Sequence, residues 1–188
     1  LLGGVTAMLP VYARDILQVG PEGLGPLRAA PAVGATLTAI YFSVQPLRTD
    51  VGVKMLGSVV IFGAATAIFG FSRWYPLSLA MLVLLGAADM FSVYIRQSLI
   101  QLHTPDAMRG RVAAVSTLAI SASNELGETR SGFTAALIGP ITATVAGGVA
   151  AVAVTLIWAG LFPELRRART FDLPEPPPES ADVVAGGA

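Results

Sequence analysis

Two stretches of this chain, Met55 to Phe71 and Pro140 to Phe162, contain no charged residue, and nothing else in the sequence limits the possible folds so strongly. A hydrocarbon core about 30 Å thick is crossed by about 20 apolar residues rising 1.5 Å each. Helices in the core of a soluble protein are usually shorter and keep a polar face, so these runs argue against a soluble α-helical domain. Composition agrees. The 188 residues are 54% hydrophobic and 13% charged, against about 25% charged in an ordinary globular domain, and too little polar surface remains to cover the chain in water.

Runs of similar length, ended by Pro, Gly or charge, predict an all-α membrane protein with six spans. The first is a stub from Leu1 to about Ala13, closed by Arg14 and Asp15. The others are Leu24 to Val44, Met55 to Phe71, Leu77 to about Ile100, Val112 to Ile138 and Pro140 to Phe162. The chain opens Leu1-Leu2-Gly3-Gly4 without a Met, so the stub is expected to be the remainder of a cut helix. Residues 1–162 then form a transmembrane bundle. The tail, residues 163–188, is Pro-rich in Leu173-Pro174-Glu175-Pro176-Pro177-Pro178 and is expected to be disordered and solvated on the cytoplasmic side.

Orientation follows from the short connections, because Lys and Arg accumulate on the cytoplasmic side. One set of loops holds Arg48, Lys54, Arg109, Arg111, Arg166, Arg167 and Arg169; the other holds only Arg14 and Arg73. The first set is expected inside, which puts Trp74 and Tyr75 at the outer interface. Twelve basic and twelve acidic side chains balance, so nothing draws the chain toward nucleic acid. There is no cysteine and only one histidine, His103, which excludes disulfides and the usual Cys or His metal sites. No cofactor is expected, and the spacing of polar residues matches no nucleophile–base pair or phosphate-binding loop.

Six ionisable residues fall inside the spans: Arg28, Asp89, Arg96, Glu125, Glu128 and Arg130. Facing lipid, they would together cost on the order of 15–20 kcal/mol, so they are expected to face protein or water. Spans three and six carry none and read as the lipid-facing helices. On span five, Thr117, Ser121, Asn124, Glu125 and Glu128 fall at helical spacings that share a face. A carboxylate shielded from water, or set beside another, binds a proton more readily. Glu125 and Glu128 are therefore candidates for proton coupling, with Asp89, Asn124 and Arg28 as further pathway residues. Fixed pairing of the three acids with the three arginines is the structural alternative. Asp89 and Arg96 are too far apart along their helix to pair directly, and Arg96 is placed to snorkel toward the inner end. Ala119, Ser123, Gly127, Ser131, Ala135 and Gly139 recur every four positions, a small-residue ladder expected to serve helix packing. Pro31 and Gly34 mark a kink or a close crossing.

The loop Thr104-Pro105-Asp106-Ala107-Met108-Arg109-Gly110-Arg111-Val112 resembles the Pro-acidic-x-x-Arg-Gly-Arg element between helices ten and eleven of the major facilitator superfamily. Ser123-Asn124-Glu125-Leu126-Gly127-Glu128, together with Leu9-Pro10-Val11-Tyr12-Ala13-Arg14-Asp15 and Gly23-Leu24-Gly25, resembles its transmembrane secretion effector, enterobactin-exporter-like branch. The resemblance implies helices seven to twelve of a twelve-helix transporter whose N-terminal six-helix half is missing here, with helices nine and twelve toward lipid. It also implies an acidic residue where this chain has Arg130. Leu47 to Lys54 is loosely similar to the family's Gly-Asp-Arg-Gly-Arg loop. A cytoplasmic gate is expected in which Asp50 meets Arg109 or Arg111, with Arg96 nearby. The function implied is secondary active transport in the bacterial inner membrane, with proton-coupled export of a small amphipathic compound of the drug or siderophore class. Apart from the lipid bilayer, the partners expected are that small-molecule substrate and the other half. The competing reading is a non-transporting scaffold or sensor acting through the cytoplasmic tail.

Overall fold

The computed structural model describes residues 2–45 and 51–161. Arg48 and Asp50 in the loop, and the tail with Arg166, Arg167 and Arg169, lie outside the described residues. Every described element is helical. In chain order they are α1 (Leu2–Thr6), α2 (Leu9–Val11), a π-helical turn (Tyr12–Ile16), α3 (Gly20–Val44), α4 (Val51–Phe71), α5 (Tyr75–His103), a 3₁₀ turn (Asp106–Met108), α6 (Arg109–Ile138) and α7 (Pro140–Leu161).

The stub is broken where the chemistry requires it. Pro10 has no N–H to offer the Thr6 carbonyl and its ring crowds that oxygen, and α1 stops at Thr6. The chain then tightens and widens in turn, with the Leu17 amide donating to the Tyr12 carbonyl at 2.8 Å. Helices α3 and α5 start earlier than the apolar runs imply, because Pro21 and Pro76 occupy their first turns, where a missing N–H costs nothing. Helix α4 likewise begins at Val51 and carries Lys54 in its first turn. Gly139, at φ 86°, makes the abrupt turn from α6 into α7.

Helices α3, α4, α5 and α7 are each long and apolar enough to cross a membrane. With 30 residues, or about 45 Å by helix rise, α6 has the length but is too polar to be recognised by composition. Five full-length helices and a broken stub are thus what the six expected spans become.

Neighbour relations close a ring: the π turn packs on α3, α3 on α5, α5 on α4, α4 on α7, α7 on α6, and α6 on α1. Glycines set the closest crossings. A Cβ on Gly34 would lie 2.8 Å from the Ala87 amide nitrogen, and one on Gly86 would run into the Pro31 carbonyl. Between α4 and α7, a Cβ on Gly63 would fall 2.8 Å from the Gly148 carbonyl and one on Gly148 2.6 Å from the Gly63 carbonyl. Real Cβ atoms do not approach so closely, so only glycine permits these crossings. Pro31 and Gly34 are therefore at a close crossing, as expected from sequence.

The tight packing is concentrated toward the end where the stub finishes and α3 and α5 begin. Tyr12 is fully buried, stacks on Phe69 with centroids 4.6 Å apart, and donates to the Gly70 carbonyl at 3.0 Å. Tyr75 donates to the Gly23 carbonyl at 3.1 Å. Buried hydroxyls turn back on their own helices: Thr66 to Phe62, Thr144 to Pro140 and Thr155 to Ala151. Among the described residues no buried side-chain nitrogen or oxygen lacks a partner, as a solvent without hydrogen bonds demands. Outside, the surface is apolar, with Leu37 and Ile40 on α3, Ile61 and Phe71 on α4, and Leu156 and Ile157 on α7 exposed. Helix α7 is the least covered of the four apolar helices, whereas α4 is the most covered, enclosed between α5 and α7. Of the two expected outer helices, α4 is therefore turned to lipid on one face only.

Gly34→Leu and Gly148→Leu should each destabilise the detergent-solubilised full-length protein by about 1–3 kcal/mol or more through overpacking. Gly57→Ala, where a Cβ meets open space, should leave stability unchanged. Thermal unfolding measures all three, and unaltered midpoints in both leucine variants would refute the role of the crossings.

Candidate functional site

Helix α6 stands away from α5 and from the middle of α4, and the space left between them is polar. A cavity of about 420 Å³ is lined by Asp89, Ser92 and Arg96 of α5, by Ser123 and Asn124 of α6, and by Val59 and Phe62 of α4. A second cavity, of about 410 Å³, lies between the stub, α4, α6 and α7, with Thr66, Arg130, Ser131 and Thr144 on its walls. Phe62 and Ser123 line both, so the two chambers share a partition.

The candidates chosen from sequence divide between two surfaces. Asp89, Arg96 and Asn124 are brought together around the first cavity. Arg96 is therefore a wall of the polar chamber and not only a snorkelling side chain. No ion pair joins it to Asp89, as their separation along α5 required. Among the described residues the ion pairs are Arg14 with Asp15 and Arg109 with Asp106, and Lys54 makes a further interaction of its own. Among the described residues no ion pair joins one intramembrane charge to another.

Glu125 and Glu128 line neither cavity. A helix turns about 100° per residue, so Asn124, Ser123 and Ile120 point at the bundle while Glu125 points away from it, and Glu128 lies on the flank. Asn124 thus sits at the edge of the polar arc it shares with Glu125 and Glu128, on the side turned to the cavity. Glu125 is exposed and Glu128 half-buried. Arg28, on the outer side of α3, is exposed and lines no described cavity.

The small-residue ladder also divides. Gly4 of α1 fits against Gly127 and Ser131, which is the expected packing. Ala119 and Ser123, nearer the start of α6, border open space instead. Ser92 was not singled out from sequence, although its place three residues after Asp89 and four before Arg96 puts it on their face.

At the far end of the bundle, Arg109 lines a shallow pocket with Gln97, Gln101 and Thr104. Its guanidinium lies 2.7 Å from the Asp106 carboxylate, a local bond that closes the 3₁₀ turn. Arg111 is exposed. The expected partner of the gate, Asp50, lies outside the described residues. At the opposite end Arg14 bonds Asp15 at 2.7 and 3.0 Å, and this hydrogen bonding holds the Asp15 carboxyl below its usual range. Among the described residues no group of His, Asp or Glu is arranged to hold a metal ion.

Known proteins bear on this arrangement directly. The sequence matches the family described as transmembrane secretion effector over residues 3–178. It is 30% identical to the enterobactin exporter of Citrobacter koseri over 97% of this chain and 45% of that protein. It is 27% identical to the enterobactin exporter of Shigella flexneri over 90% of this chain and 43% of that one, and 27% identical to that of Escherichia coli O6:K15:H31 over 100% and 45%. The chain thus spans less than half the length of these relatives. No solved structure matches it significantly. An all-helical bundle with polar chambers inside an apolar exterior agrees with the match over nearly the whole sequence, and the chain belongs to the transmembrane secretion effector family of major facilitator transporters, a family of membrane carriers and not of enzymes.

Proposed function

We propose that this chain is the C-terminal half of a proton-coupled exporter of a small amphipathic compound, of the drug or siderophore class, in the bacterial inner membrane. The observation that carries the reading is the polar chamber bounded by Asp89, Arg96 and Asn124, set inside a bundle whose outer surface along α4 and α7 is apolar. Unpaired charge is costly in hydrocarbon and is kept where it meets water, protein or a passing solute. The export direction and the siderophore class rest on the relatives, which are enterobactin exporters.

Glu125, Thr117 and Ser121 form a polar face left exposed among the described residues, with half-buried Glu128 on it. In our reading the other six-helix half covers it, and the carboxylates then lie between the halves, where rocking exposes them to each side of the membrane in turn. Protons taken up on one side and released on the other would drive export. In the intact protein, Glu125→Gln together with Glu128→Gln should abolish acceleration of export by an inward proton gradient, measured in everted vesicles. Undiminished acceleration would exclude both carboxylates as couplers.

The end bearing Arg109 and Arg111 is taken as cytoplasmic, with the C-terminus on that side, on the strength of the loop charges. The chain has no cysteine, which makes the test clean. A single cysteine replacing Arg73 should react with a membrane-impermeant maleimide in whole cells, and one replacing Ala107 only after permeabilisation; the opposite pattern reverses the orientation. At this end Asp50 is proposed to close the gate against Arg111 or Arg109. Because Asp106 already holds Arg109, Arg111 is the freer arm. Asp50→Arg and Arg111→Asp should each cost most of the transport rate, and the double variant should recover it; the same comparison with Arg109→Asp identifies the partner. Failure of both double variants to recover would dismiss the gate.

A further inference from the structure

Arg130 is an intramembrane cation without a counter-charge in its own chamber. It lines the cavity between the stub, α4, α6 and α7, and no Asp or Glu lines that cavity with it. No ion pair reaches it among the described residues. On α6 itself, Glu125 and Glu128 lie about 140° and about 160° around the helix from it. The residue stands about 12 Å from the end of α6 by helix rise. Side chains on a helix tilt toward its N-terminus, which for Arg130 is the direction of Gly127 and not of the nearer helix end.

The surroundings select what can sit there. The hydroxyl protons of Thr66 and Thr144 are spent on the Phe62 and Pro140 carbonyls. Ser123 and Ser131 carry hydroxyls with no hydrogen-bond partner among the described residues, and these remain free to donate. The rest of the wall is apolar, from Met8, Phe62 and Leu126. A planar guanidinium with the Ser131 hydroxyl next to it in the chain, beside an apolar floor and with no carboxylate competing, matches an oxyanion attached to a hydrophobic body. A cationic or neutral solute would leave the arginine without a counter-charge.

We propose that Arg130, with Ser131, is a binding subsite for the anionic group of the transported compound, a carboxylate or phenolate, and that the substrate is therefore an amphipathic anion. This rests on the exporter reading for its transport step. Because Ser123 and Phe62 also wall the Asp89 chamber, the anion would bind on one side of the partition and the body could extend past it.

Two dyes of one aromatic scaffold test the assignment in the full-length protein: carboxyfluorescein, an anion, and rhodamine 123, a cation. The wild type should bind carboxyfluorescein, read by fluorescence anisotropy in detergent, and export it from loaded vesicles in preference to rhodamine 123. Arg130→Gln should weaken carboxyfluorescein binding and export at least tenfold, Arg130→Lys should retain part of both, and rhodamine 123 should be unaffected. If Arg130→Gln does not fold, by thermal unfolding, Arg130→Lys and Ser131→Ala carry the test, each with at least a threefold loss. Equal handling of both dyes, or carboxyfluorescein affinity untouched by the substitutions, overturns the subsite while leaving the exporter reading intact. Binding that depends on Arg130 without movement of either dye would instead count against the exporter reading and keep the subsite. No binding of carboxyfluorescein at all overturns the subsite and assigns Arg130 to an acidic partner in the other half.

Discussion

Hydrocarbon gives helices no reason to associate through their apolar faces, since lipid tails solvate leucine as well as another leucine does. What remains is close contact between backbones, and here it is supplied by glycine. Gly34 and Gly86 bring α3 onto α5, and Gly63 and Gly148 bring α4 onto α7. Each crossing fixes a pair, and α5 packed on α4 joins the two pairs into a rigid four-helix wall. Tyr12 then fastens the stub to this wall through Phe69 and Gly70. Helix α6 is not part of the wall: none of its residues is buried, and it touches the rest through α1 and α7. The chambers exist because α6 is held at its edges and not pressed in along its length.

This division explains which parts of the structure could be foreseen. Span existence was legible because hydropathy over some twenty residues is a strong, additive signal, and the Pro31–Gly34 crossing was legible because small residues in an apolar helix have few other uses. Helix starts were less so: Pro21, Lys54 and Arg109 are compatible with helix and only incompatible with hydrocarbon, so the apolar run ends before the helix does. Pro10 breaks the stub in a way that its sequence does announce, although counting apolar residues passes over it.

The candidate site was half legible. Asp89, Arg96 and Asn124 converge as their spacings allow; Asn124, Glu128 and Glu125 share an arc of about 100° on α6, and of these only Asn124, at its edge, reaches the cavity. Spacing says which residues share a face; it does not say toward which neighbour the face is turned. That depends on α1 docking at Gly127 and Ser131, which settles the rotation of α6 and is a tertiary fact. The small-residue ladder misled for the same reason, since a position that lets a backbone approach also lets a cavity form when no backbone arrives. Arg130 was read only as an anomalous charge until the rotation placed it on a chamber wall.

The rotation has a consequence for α6 as a whole. Arg130 lies at one edge of its inward face and Asn124 at the other, and Glu125 and Glu128 stand about 140° and about 160° around the helix from Arg130, so charge of opposite sign lies on opposite sides of one helix. Turning either side to lipid would cost about 2.5–3.5 kcal/mol per central charge. A helix of this kind is stable in a membrane only when protein or water lies on both sides, and its low hydropathy beside α4 and α7 follows from that position, not from failure to be a span. In the proposed reading, the same arrangement separates two tasks that a single face could not combine. A cation that recognises an anion and carboxylates that exchange protons would neutralise one another if they shared a surface. Set back to back across a helix about 10 Å wide, they stay unpaired, and each remains available to a mobile partner.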